Sequence, residues 1–147
     1  MSNLTNYAEN KVIDALFRGQ ALGAPATMYF ALFTSDPTET GAAGTEITGG
    51  SYARVAVTAS LANFAGTQSA GSTTASSGTG GTTSNNGTIT FPAPTANWGS
   101  VTHIGIFDAS SAGNCWVYGA LTTAKTVNNG DPAPSFAAAA FSFQIDN

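Results

Sequence analysis

The chain has 147 residues, enough for one domain with its own core. Only 8% of them are charged and the net charge is −4, against about a quarter charged in an ordinary globular protein. Lys11, Arg18, Arg54 and Lys125 are the whole basic inventory, too few and too scattered to track a phosphate backbone, so nucleic-acid binding is excluded.

Gly, Ala, Ser, Thr and Asn take the place of the missing charges. Such a surface lacks the repulsion that keeps free monomers apart, and a chain can tolerate that when the surface is buried in an assembly. The alternative is a monomer solubilised by hydroxyls and amides. Cys115 stands alone, so no intrachain disulfide is expected. Glu9, Lys11, Asp14 and Arg18 interrupt any signal-type apolar core after Met1. No apolar run approaches the roughly 20 residues of a membrane span, and no membrane partner is expected.

Leu4 to Phe17 reads as the one helix. Leu4, Ala8, Val12 and Leu16 recur at four-residue steps, and Ile13 and Phe17 widen the stripe. Thr5 or Asn6 can cap its start and Gly19 can stop it. The stripe should cover one end of a sheet; docking on a neighbouring subunit is the alternative. Thr27 to Thr34 is the first strand, ended by Asp36-Pro37. The Gly-rich loop Ser35 to Ser51 holds Asp36, Glu39 and Glu46, but their spacing is not that of a calcium loop, and a solvated loop is expected. Tyr52 to Thr58 is a second strand. Its Arg54 should pair with a loop carboxylate such as Glu46 or face solvent, or, in a sharper reading, reach across a subunit interface.

Leu61 to Phe64 suggests a short edge segment. From Gly66 to Gly87 nothing apolar is larger than Ala, so this stretch reads as a long loop inside one domain spanning 1–147. Its Gly78 to Gly81 run has no following Lys and is not a phosphate loop. Thr88 to Phe91 is a strand cut off by Pro92 and Pro94. Val101 to Leu121 reads as a β-hairpin around the loop Asp108 to Asn114. Alternation puts Val101, His103 and Phe107 on one face with Ile104 and Ile106 on the other. In the return strand Cys115, Val117 and Leu121 oppose Trp116, Tyr118 and Ala120. Neither face is polar, so both should be covered. Thr122 to Val127 precedes a turn at Asn128 to Asp131, and Ala139 to Ile145 closes the chain as a strand. The fold class is therefore mainly β: an antiparallel sandwich or barrel-like domain with one N-terminal amphipathic helix.

Catalysis would have to use His103 and Cys115, the only imidazole and the only thiol, with Asp108 to orient the base. Asp108 lies five residues from His103, which places it on the opposite face of a strand. A buried small hydrophobe accounts for Cys115 at least as well. No catalytic residue, cofactor or metal site is therefore assigned.

Asn6-Tyr7, Glu9-Asn10 and Leu16 to Gly19 open a series of motifs that continues through Ala31 to Thr34 and Gly49 to Arg54. Phe91 to Pro94, Gly105 to Asp108 and Lys125 to Asp131 complete it. In this order they resemble a family of small virion proteins of tailed bacteriophages, often labelled tail fibre proteins. The resemblance implies a non-enzymatic structural role in the virion after synthesis in the bacterial cytoplasm. It implies a homo-oligomer, a trimer by expectation, bound to the major capsid protein or to tail proteins of the same phage. Capsid decoration is preferred to a tail fibre or tail-tip placement, because the chain has neither coiled-coil heptads nor fibre repeats. A small carbohydrate-binding domain built on Trp98, Trp116 and Tyr118 is the alternative from another class. Candidate interface residues are Leu4, Tyr7, Arg18, Glu46, Arg54, Thr74 and Asn85.

Overall fold

The computed structural model describes residues 2–145. The elements are β1 (Ser2–Leu4), α1 (Asn6–Phe17), β2 (Thr27–Phe33), β3 (Val55–Thr58), β4 (Thr82–Ser84) and β5 (Ile89–Thr90). They continue with β6 (Gly99–Phe107), β7 (Cys115–Val127), β8 (Ser135–Phe136) and β9 (Ser142–Gln144). Five strands form one antiparallel sheet in the order β1-β7-β6-β2-β3, and two ribbons, β4-β9 and β5-β8, are paired separately. This is the mainly β, antiparallel architecture with one N-terminal helix that the sequence pattern implies.

The expected hairpin is the centre of the sheet, with both faces buried. On one side Phe30, Leu32, Ile104, Ile106 and Val117 meet Ile89, Phe91 and Phe141 from the ribbon side. Phe141 sets its ring edge-on to Phe30 at 5.2 Å between centroids. On the other side Ala31, Phe33, Phe107 and Cys115 form a smaller cluster.

Two irregularities correct the alternation expected from the sequence. Opposite Thr102, β7 carries Leu121 to Ala124 without a matching β6 residue, because Val101 pairs with Lys125 and His103 with Ala120. That break turns Val101 into the same cluster as Ile104 and Ile106, not onto the face of Phe107. The second is a bulge at Trp116, which lies between the pairs Phe107–Cys115 and Ile106–Val117. Trp116 and Val117 consequently share the large core, and Cys115 and Tyr118 share the small one. An inserted residue flips side-chain parity for everything beyond it.

Element bounds also differ from the expectation. The helix begins at Asn6, not Leu4, because Ser2 to Leu4 pair with Gly119 to Val117 as an edge strand. Thr5 makes the switch: its hydroxyl accepts from the Ala8 amide and donates to the Cys115 carbonyl, pinning the helix start to β7. The long loop is shorter than 66–87, since Thr82 to Ser84 pair with Ser142 to Gln144. Leu61 to Phe64 form a turn, with only Phe64 bridging to Asn85. Thr122 to Val127 continue β7 instead of starting afresh.

Candidate functional site

Arg54 is the best-braced polar group of the fold. Its Nε and Nη2 donate to the two Glu46 oxygens at 2.8 and 2.7 Å, a bidentate pair. Nη1 donates to the carbonyls of Ala109 and Ala112 at 2.9 and 2.8 Å. The guanidinium lies 3.7 Å over the Phe107 ring. The Arg54 side chain is 6% exposed and that of Glu46 24%. One cation thereby ties the Ser35 to Ser51 loop and the Asp108 to Asn114 loop onto the small core. The Tyr52 hydroxyl adds a hydrogen bond to Glu46 and accepts one from the Leu32 amide. Burial, more than the neighbouring carboxylate, pushes the Tyr52 phenol well above its usual range. Burial alone would lower the Arg54 pKa, but the Glu46 hydrogen bonds and charge reverse that and raise it.

Beside this clamp a cavity of about 440 Å³ opens between Tyr7, Gly41, Glu46, Phe107 and Asn114. A Cβ on Gly41 would collide with Cys115, and Gly41 has φ +68°, so only glycine lets the loop close here. All three guanidinium nitrogens of Arg54 are engaged within the chain, using four of its five N–H donors.

His103, Cys115 and Asp108 are not assembled. Cys115 lies opposite Phe107, four β6 residues from His103, a span of about 13 Å along the strand. Burial pushes its thiol up to about 11, so it stays protonated at neutral pH. Asp108 accepts from the backbone and side chain of Asn114 and from Trp116 Nε1. Burial raises its pKa, but these hydrogen bonds outweigh that and hold the carboxyl below the usual range. The His103 ring instead contacts the Thr102 hydroxyl at 2.8 Å. Asp36 accepts from the Thr38 amide, Glu46 is held by Arg54, and no group of three His, Cys, Asp or Glu able to hold a metal occurs among the described residues.

The aromatics are likewise dispersed. Trp98 is buried edge-on to Tyr52 and donates to the Gly50 carbonyl, and Trp116 is buried edge-on to Tyr7. Neither indole offers an open face for a sugar ring.

The candidate interface residues fall in separate places. Leu4 is half-buried in β1, and Tyr7 packs on Trp116 in the first turn of α1. Arg18 caps the far end of α1 and pairs with exposed Asp14 at 3.0 Å. Thr74 lies exposed in the long loop, where the Gln68 amide gathers the Ser72 and Thr74 hydroxyls. Asn85 is 1% exposed, with its side chain donating to the Gly87 and Ala137 carbonyls and accepting from the Phe141 amide. It is a tie between segments.

Sequence reasoning offered α1 as a contact surface but preferred that its apolar stripe cover the sheet. The helix covers the sheet only through its first half, where Ala8 is buried. Ile13, Leu16 and Phe17 are 52, 71 and 82% exposed. The periodic stripe was visible, but a stripe does not say how much of it finds a partner within its own chain.

Fold and surface together define a class: a small, mainly β, loop-presenting domain whose buried polar groups serve internal bracing. The chain belongs to the family described as Podophage GP4 fiber I protein gp80, which matches residues 3–144. This makes it a phage fibre-like virion protein. No curated protein matches the chain. Among the described residues no helix is long and apolar enough to cross a membrane.

Proposed function

We propose that the chain is a non-enzymatic part of the fibre apparatus of a bacteriophage tail. In this reading it acts as a homo-oligomer, a trimer by expectation, joined to other tail proteins of the same phage. The observation that carries this is the correspondence of residues 3–144 to a family described as a fibre protein. The geometry agrees with it: the thiol is buried, the imidazole and thiol are apart, and the clamp of Glu46 and Arg54 stiffens loops. Compactness and the lack of heptads favour a second reading, a capsid decoration protein on the major capsid protein. The fibre designation outweighs that argument, because a short domain can serve as a joint or tip of a fibre whose shaft is another chain.

Immunogold labelling of intact virions with an antibody to the chain tests both. Label at the tail is the expected result. Label over the head would replace the first reading by the second, and virions without label would overturn both.

A further inference from the structure

Ile13, Leu16 and Phe17 occupy one face of α1, at positions one turn apart. Together they leave on the order of 400 Å² of apolar surface in solvent, as large as the biggest patch of a typical monomer. A specific interface takes about 800 Å² from each partner, so this helix tip supplies about half of one side.

A hole lined by apolar side chains together with Thr122, Thr123, Ser135 and Ser142 lies elsewhere on the same chain. The irregular stretch Leu121 to Thr123 of β7 arches away from β6 and leaves a cavity of about 370 Å³. Leu32, Ile104, Phe136 and Phe141 are among its walls, and no residue of α1 lines it. Its size suits one or two large apolar side chains. Lys125 stands in its lining, exposed, with no ion-pair partner among the described residues.

Charge decides the occupant. The C-terminal end of a helix carries the negative end of its dipole. α1 has no basic residue in its last turn, and Arg18 just beyond is paired with Asp14. A cation at the hole therefore faces a shortage of cation at the knob. We propose that Leu16 and Phe17 of one copy seat in the cavity of a second copy, with Lys125 against the terminal carbonyls of α1. Knob and hole are different patches, so the contact is head-to-tail and each copy uses both; a rotation that closes gives a ring. The inference rests on the reading of the chain as an oligomeric virion part, and it names the surface by which copies meet.

Sedimentation velocity on the full chain tests it. The wild-type chain is expected to form a concentration-dependent oligomer. Phe17→Asp removes the knob and Thr123→Trp fills the hole, at positions exposed to solvent, so circular dichroism should be unchanged while each sediments as a monomer. An equal mixture of the two should form a dimer, because one intact knob and one intact hole remain. Lys125→Glu, a milder change, should weaken association about tenfold. A wild-type chain that stays monomeric, a Phe17→Asp chain that still assembles, or a mixture that remains monomeric would each overturn the proposal. Virion labelling reads a different property, so failure of the virion assignment is distinguishable from failure of this contact.

Discussion

Arg54→Ala should destabilise the fold far more than an exposed ion pair would. The substitution removes the bidentate partner of Glu46, both bonds to the Ala109 and Ala112 carbonyls, and the cation over Phe107. Breaking a buried pair by deleting one partner costs about 3–5 kcal/mol. Glu46 is 24% exposed and keeps the Tyr52 hydroxyl, so water and one hydrogen bond partly replace the lost cation. The low end applies, about 3 kcal/mol, which for a chain of this length lowers Tm by about 10 °C. Urea unfolding followed by fluorescence of the buried Trp98 and Trp116 measures the first figure, and calorimetry the second. Replacing both partners with apolar residues, Arg54→Met with Glu46→Leu, should recover at least half the loss, since no unpaired carboxylate then remains. A loss below about 1 kcal/mol for Arg54→Ala would place the pair with exposed ones and refute the idea that it braces the two loops.

Asn85→Ala should cost about 1–3 kcal/mol in urea, because it strands the buried Phe141 amide, while the carbonyls of Gly87 and Ala137, on exposed residues, can turn to water; a neutral result would mean that water replaces the amide at Phe141 too. Gly105→Ala should cost about 1–3 kcal/mol by calorimetry through overpacking, since its Cβ would lie 2.9 Å from the Phe33 ring and 3.0 Å from that of Phe107. Cys115 gives a pH dependence with a definite sign. Its folded pKa is raised from 9.0 to about 11, so the unfolded chain loses the thiol proton first. The stability that the protonated thiol contributes is complete below pH 9 and is lost as pH rises towards 11. Urea midpoints should fall across that window, less so in Cys115→Ala, and a variant that falls as much would reassign the effect, Tyr52 being the next group.

The sequence by itself determined the fold class and the central hairpin, and it put Glu46 among the candidate partners of Arg54. Alternation, turn residues and the scarcity of charge are local signals, and Glu46 was the carboxylate named for the cation. It also determined the poverty of catalytic groups, because one imidazole and one thiol are counted without coordinates. The tertiary structure alone decided which face each hairpin side chain takes. The bulge at Trp116 and the arch at Leu121 to Ala124 lie in a strand that pairs with β1 on one side and β6 on the other, and no local pattern encodes an inserted residue. Asn85 looked like a polar surface residue and is a buried tie, since its three partners come from segments distant in the chain or across a turn. The apolar stripe of α1 was legible as a stripe. That Ala8 finds the sheet while Leu16 and Phe17 reach past its edge depends on where Thr5 anchors the helix to β7. Periodicity records which residues avoid water, whereas the anchor point decides which of them the chain itself can cover.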